Sequence, residues 1–258
     1  MNILVTGGAG FIGTNLRKRL VKEGHTVTSL DDYSTGSELN HIKGCTYISG
    51  ECTMVEYLIT SKFDLVYHLA GLSRIQPSFI DPMETFHANV IGTQAVCDWA
   101  RKNSVNVVYA GSSSKHHDPY QSPYAAYKYI GEEICKMYKR TYNMDVEKTY
   151  GMSIEICRFY NVYGPHEVVE GDWAAVIGIW RRQVEARHNI TIVGDGEQRR
   201  DFTHVDDIVD GLIRVANTTI CHEDAWELGC GKNHSINEVA SWFCEYNPTI
   251  EIEHIPDQ

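Results

Sequence analysis

The sequence has 258 residues, 43% hydrophobic and 22% charged, with a formal net charge of −11. A chain this acidic has no electrostatic footprint for a phosphate backbone, so nucleic acid is not an expected partner. No apolar run approaches the roughly 18–20 residues of a membrane span, and MNILVTGG at the start reads as a strand, not a targeting segment, so the expected compartment is the cytoplasm, with no membrane partner.

In chain order, Asn2–Thr6 is an apolar, β-branched run ended by glycines, and Thr14–Glu23 has helical spacing (Leu16, Leu20, Val21) with a stop at Gly24. Strands are expected at Thr26–Leu30, Thr46–Ile48 and Asp64–Leu69, then a helix at Asn89–Lys102 and a strand at Asn106–Ala110. A long helix over Lys128–Tyr142 and a strand at Ile154–Phe159 complete the alternation. Such β-α-β order predicts an α/β fold with a mostly parallel sheet and helices on both faces. Beyond about residue 160 the pattern loosens. Helices are expected at Ala174–Arg187, Val205–Ala216 and Asn237–Glu245, with short strands at Thr191–Val193 and Ala225–Leu228. The expected division is a main domain over 1–160 and a smaller lobe over 161–258 laid on the sheet's carboxyl edge, with segments near 200–208 and 225–230 returning to the main domain.

Residues 140–147 (RTYNMDVE) and 148–155 (KTYGMSIE) form a tandem repeat, too short for a solenoid and read as a surface loop without chemistry. The eight cysteines are scattered, none in CxxC spacing, and read as reduced small hydrophobes. Cys221, His222, Cys230 and His234 match no zinc spacing, so no metal is expected.

Thr6-Gly7-Gly8-Ala9-Gly10-Phe11-Ile12-Gly13 follows a strand and opens a helix. In that context the glycines predict a dinucleotide turn: Gly7 for the tight bend, Gly10 for backbone approach to a pyrophosphate, Gly13 for helix–strand packing. The free N–H groups and positive dipole end of the helix then face the phosphates. The fold expected is therefore a Rossmann-like, doubly wound sheet. Asp31 ends the second strand, 18 residues after Gly13, where a carboxylate meets the adenosine ribose; with Asp32 beside it and no arginine close by, NAD is expected over NADP.

Ser122 and Pro123 suit the N-cap and first position of a helix. Tyr124 and Lys128 are then one turn apart on one face. An ammonium beside a phenol lowers the phenol pKa from about 10, letting Tyr124 take a proton from a sugar hydroxyl. Upstream, a strand ends in Ser112-Ser113-Ser114, and a serine there is placed to hydrogen-bond the same hydroxyl.

With these features together the chain resembles the extended short-chain dehydrogenase/reductase family, in its NAD-dependent nucleotide-sugar epimerase/dehydratase branch. The likeness runs over TGGAGFIG (6–13), LDDYSTG (30–36), FDLVYHLAG (63–71), HANVIGT (87–93), SPYAAYK (122–128), RFYNVYGP (158–165) and GDGEQRRDFTHVDD (194–207). The resemblance implies a catalytic set of Ser112, Tyr124 and Lys128. It implies NAD contacts at Phe11, Ile12, Asp31, Asp32, Tyr33, Ser34, Thr35, Gly36, Leu69, Ala70, Gly71, Ser73, Asn89, Tyr124, Lys128 and Tyr160, with Glu51 and Cys52 against the adenine. It places Asn161 and Arg200 on the nucleotide diphosphate, and Ser73, Ser112 and Tyr124 on the substrate. It implies an NAD-bound homodimer acting on a nucleotide-diphosphate sugar. The two-fold axis is expected to pair Val90, Val96, Trp99 and Ala100 of one helix with Ile130, Ile134, Met137 and Tyr138 of the next.

Within the branch, 4,6-dehydratases carry an Asp-Glu pair after the catalytic hydroxyl, where this chain has Ser113-Ser114. Decarboxylases carry a glutamate at the position of Ser114, and fucose-synthase-like enzymes a cysteine. What remains suits a 4-epimerase acting on a nucleotide-diphosphate hexose. The alternatives are a 4-keto reductase, a dehydratase, an epimerase at another carbon, or a non-catalytic NAD-binding relative. The chain departs from the family in the short span from Ser112 to Tyr124, where Lys115-His116-His117 replaces Val-Tyr-Gly. Family members continue for several tens of residues past the equivalent of Gln258.

Overall fold

The computed structural model describes residues 1–142 and 151–256. In chain order the elements are β1 (Asn2–Thr6), α1 (Phe11–Lys22), β2 (Thr26–Asp31), β3 (Cys45–Ser49), α2 (Val55–Leu58), β4 (Leu65–His68), α3 (Ile75–Ile80), α4 (Pro82–Phe86), α5 (Gly92–Asn103), β5 (Asn106–Ser112), α6 (Pro123–Tyr142) and β6 (Ile154–Phe159). There follow β7 (Val162–Tyr163), α7 (Val176–Glu185), β8 (Ile190–Val193), β9 (Arg199–Asp201), β10 (Thr203–His204), α8 (Val205–Ala216), β11 (Trp226–Leu228), β12 (Asn233–Ser235), α9 (Ile236–Tyr246) and β13 (Ile252–Ile255).

Seven strands form one sheet in the order β11-β6-β5-β4-β1-β2-β3, every pairing parallel. The order reverses between β1 and β4, and that switch point is where a doubly wound sheet opens a crevice at its carboxyl ends. The strands are apolar on both faces, as parallel strands covered on both sides must be. Leu4, Leu30, Val66, Val107 and Ile156 pack under α5 and α6 with Val96, Trp99, Cys135 and Tyr138. Ile3, Val5, Val27, Leu65, Tyr67 and Val108 pack under α1 and α8 with Leu16, Leu20, Ile208 and Leu212. A third, smaller cluster joins Trp180, Ile190, Ile192, Ile236, Val239 and Ile250. It is the core of the segment carrying α7, β8, α9 and β13.

The helix expected over Asn89–Lys102 starts as a π-turn, His87–Ile91, before α5. Asn89 explains the widened turn: its side chain bridges Leu72 N and O at 2.8 and 2.9 Å, while its own carbonyl accepts from Thr93 Oγ1. Extra turns of this kind cluster at functional sites. Val90, Val96, Trp99, Ala100 and Tyr138, expected at a subunit interface, are instead buried in the chain's own fold. Their apolar stripe faces the sheet. Ile130 and Met137 remain exposed, at 37% and 45%, and Ile134 packs partly against the core. Of the tandem repeat, residues 143–150 lie outside the described residues. The flanks differ: Tyr142 closes α6, whereas Met152 is buried just before β6.

Candidate active site

A cavity of about 1200 Å³ opens at the switch point. That exceeds the usual range of about 300–1,000 Å³ for one small-molecule site, so it has room for two ligands end to end.

The glycine turn forms one end. Gly7 has φ +66°, and a side chain there would meet the Ala70 backbone; one on Gly13 would meet Gly7 O at 2.2 Å. Both glycines are thus forced by close backbone packing. No side chain caps α1, so its first N–H groups remain available to an anion, and Gly10, Phe11, Ile12 and Gly13 all line the cavity. Asp31 ties the turn to the end of β2. Its carboxylate accepts from Ala9 N at 2.8 Å and Tyr33 N at 2.9 Å, while burial raises its pKa. Asp32 accepts from Ser34 N and Oγ. An arginine does lie near Asp31, contrary to the sequence reading: Arg17, fully buried. It is committed to Gly8 O, Tyr47 Oη and Asn40 O, so it is not free to receive a 2′-phosphate.

Asp31, Asp32, Ser34, Thr35, Glu51, Cys52, Leu69, Ala70, Gly71, Ser73, Tyr160, Asn161 and Arg200 line the same cavity. Cys52 has its thiol pKa pushed up by burial to about 12. Tyr33, Gly36 and Asn89 do not reach the cavity wall. The Tyr33 hydroxyl meets His41 at 3.0 Å. Gly36 sits against Asp31, and Asn89 is buried as the clamp described above. Asn161 donates its amide to Asp201 O at 3.0 Å, and Arg200 donates to Arg199 O at 2.9 Å.

At the other end, Ser112 closes β5 and Tyr124 opens α6. Ser122 Oγ accepts from Ala125 N at 3.1 Å, the expected N-cap. Ser112 Oγ and Tyr124 Oη stand 3.2 Å apart, and Ser114 Oγ donates to Ser112 Oγ at 2.9 Å. Lys128 Nζ donates to Ala110 O at 2.6 Å and lies 4.6 Å from the Tyr109 ring centroid. Burial lowers its pKa to about 8, while Glu132 one turn on supports the charge. One expectation fails here. Tyr124 has its pKa raised by burial, and the groups pulling it back are the Ser112 hydrogen bond and the Arg74 charge, not Lys128. The lysine is turned to the β5 carbonyl instead.

The support behind Ser112 went unread in the sequence. Glu132, 1% exposed, accepts from Ser112 N at 3.2 Å and from Arg158 Nη2 at 2.9 Å. Arg158 Nη1 continues to Asp224 at 2.9 Å and Glu227 at 2.7 Å. Glu227 accepts from Tyr160 Oη at 2.7 Å and meets His116 Nε2 at 3.0 Å. His116 is therefore tied down, whereas His117 only lines the cavity. The available signals were Glu132 at Lys128+4 and a single arginine inside the apolar run of β6. Between the two ends, buried His68 contacts Thr6 Oγ1 at 2.7 Å and Thr93 Oγ1 at 3.2 Å, and burial depresses its pKa to about 3.

The sequence profile of the NAD dependent epimerase/dehydratase family matches residues 3–229. The chain belongs to this family. It is 32% identical over 238 residues to a UDP-glucose 4-epimerase of Mycolicibacterium smegmatis, covering 83% of this chain and 73% of that protein. It is 28% identical over 270 residues to UDP-glucuronic acid decarboxylase 2 of Arabidopsis thaliana, covering all of this chain and 60% of that longer protein. The crystal structure of a Thermotoga maritima UDP-glucose 4-epimerase bound to UDP-glucose superposes with a TM-score of 0.90 at 25% identity, over 100% of this chain and 86% of that one. The family's NAD dependence fits the uncapped helix α1 and the close-packed glycines at one end of the cavity. Among the described residues no group of three His, Cys, Asp or Glu is arranged to hold a metal ion, and no helix is long and apolar enough to cross a membrane.

Proposed function

We propose that the chain is an NAD-dependent epimerase that inverts C4 of a nucleotide-diphosphate sugar through a transient 4-keto sugar. The observation that carries this reading is the contact of 3.2 Å between Ser112 Oγ and Tyr124 Oη, followed only by the hydroxyls of Ser113 and Ser114. A set of hydroxyls suits removal and return of a hydroxyl proton. Dehydration needs a carboxylic acid there, and Glu132, the carboxylate behind Ser112, is engaged by Arg158.

Tyr124 takes the C4 hydroxyl proton as its phenolate and later gives it back as the phenol, and Ser112 orients that hydroxyl. The chemistry NAD supplies when bound is reversible acceptance of the hydride from C4. Gly10, Phe11, Ile12 and Gly13 hold the pyrophosphate, Asp31 and Asp32 the adenosine ribose, and Lys128 the nicotinamide ribose. Asn161 and Arg200 hold the substrate diphosphate. With both ends of the transfer in one site there is no net redox. Incubation of NAD-loaded protein with nucleotide sugars, followed by NMR, tests the reading: C4-inverted sugar is expected, and a dehydrated or decarboxylated product contradicts it.

The assembly proposed is a homodimer through the exposed residues Ile91, Ile130 and Met137 of neighbouring helical segments. Sedimentation at micromolar concentration is expected to give twice the chain mass; monomer alone contradicts the pairing.

A further inference from the structure

Arg74 has no task in the reading above. It stands immediately before α3 and lines the cavity together with Ser112, Tyr124 and Trp173. Its Nε donates to Trp173 O at 2.9 Å. That bond fixes the guanidinium plane, and the two terminal amino groups have no protein acceptor among the described residues. No carboxylate among those residues pairs with it either. Glu167, the acidic group whose charge reaches it, is engaged by Arg181 at 3.2 Å through Oε1, while its buried Oε2 has no hydrogen-bond partner.

The position relative to Tyr124 is fixed through the backbone. Ser78, in the first turns of α3, accepts from Tyr124 N at 3.1 Å and donates to Ile75 O at 2.6 Å. Arg74, at the head of that helix, is held at a set offset from the start of α6. The two side chains are close enough for each to perturb the other's charge. Half-buried guanidinium amino groups without an acceptor are costly, because their desolvation is not offset by a hydrogen bond. A ligand anion at this point restores the balance, and the planar fork matches a carboxylate with two parallel hydrogen bonds.

We propose that Arg74 binds a carboxylate on the sugar, so that the substrate is a nucleotide-diphosphate hexuronic acid. This rests on the reading that Tyr124 meets the C4 hydroxyl. In a hexuronic acid the carboxylate is carried on C5, the neighbour of C4, so it lies beside the hydroxyl that Tyr124 touches. A neutral hydroxymethyl group in the same place leaves the two terminal amino groups without a charged acceptor. The diphosphate does not need Arg74, since Arg200 on β9 lines the cavity as a separate cation.

The test is calorimetric titration of the NAD-loaded protein with glucuronic acid and glucose carried on UDP, GDP and dTDP, and with the free nucleoside diphosphates. Arg74→Met and Arg74→Lys are titrated alongside, with melting temperature and NAD affinity as folding controls. On at least one nucleotide the uronic acid is expected to bind about tenfold or more tighter than the neutral sugar. Arg74→Met should weaken it by about 10- to 100-fold, the worth of hydrogen bonds to a charged group. Arg74→Lys should recover part of the loss, and the free diphosphate should shift by less than about threefold. Equal weakening of the free diphosphate, or failure of the uronic acid to bind on every nucleotide, overturns the proposal. NMR on the same mixtures separates the two readings. An Arg74-dependent uronic-acid preference without inversion at C4 keeps this proposal and removes the epimerase. Inversion of the neutral sugar with the uronic acid refused does the reverse.

Discussion

The two ends of the cavity are built in different ways. The end proposed for the cofactor is backbone: a continuous turn from Thr6 to Gly13, pinned by one carboxylate, Asp31, at the end of the next strand. The end proposed for the sugar is side chains brought together from far apart in sequence. Ser112 leans on Glu132, Glu132 on Arg158, and Arg158 on Asp224 and Glu227. The backbone end tolerates little change at its glycines, where added atoms would meet backbone. At the sugar end, each charge depends on a partner that a single substitution removes.

The largest effect expected is at the sugar end. Tyr124→Phe keeps the ring and removes the proton carrier, so turnover should fall by about 10²–10⁴-fold with NAD affinity and melting temperature near wild type. Equal loss of NAD binding would show that the two ends are not separable. Next, Arg158→Met removes the hydrogen-bonded cation of buried Glu132, leaving it among the described residues only the Lys115 ammonium at 3.9 Å, and should cost about 3–5 kcal/mol in urea unfolding. Pairing it with Glu132→Gln should recover part of that cost, since the uncompensated charge is gone. A fully additive double variant would contradict the description of the network as one unit.

His68 lies between the ends and gives a pH signature. Its folded pKa of about 3 is depressed below its ordinary value of about 6.5. The unfolded chain therefore binds the extra proton between those values, and the stability is present above about pH 6.5 and lost as pH falls. At pH 4 the loss should be about 3 kcal/mol, and His68→Gln should flatten this slope. An unchanged slope would place the acid sensitivity elsewhere. The smallest effect is at the cofactor end: Asp31 and Asp32 should make NADP bind about 10- to 100-fold more weakly than NAD. Equal affinity in a direct titration would show that the pinned carboxylates do not face the ribose.

How legible each end was follows from this contrast. A turn whose geometry depends on Gly7 and Gly13 announces itself, because glycine spacing is local and the strand and helix around it are periodic. Ser122, Tyr124 and Lys128 were readable for the same reason, lying within one helix start. Glu132 and Arg158 are 26 positions apart, and only the packing of α6 over β5 and β6 makes them neighbours. Arg74 and Glu167 sit in loops with no periodicity to mark them. The sequence reading placed Lys128 beside the phenol from helical spacing alone. The Ala110 carbonyl, which takes its ammonium, belongs to another strand and was invisible to that spacing. The short strands β7, β9, β10 and β12 were also unread, since two or three residues are too few to show alternation.

Inversion at C4 by way of the Tyr124 hydroxyl and a returning hydride can be followed by turnover in D₂O with a nucleotide sugar deuterated at C4. The expected product is inverted at C4, keeps its deuterium there and takes up none from solvent at C3 or C5. Solvent deuterium at C3 or C5, or a product that has lost water or carbon dioxide, would contradict it.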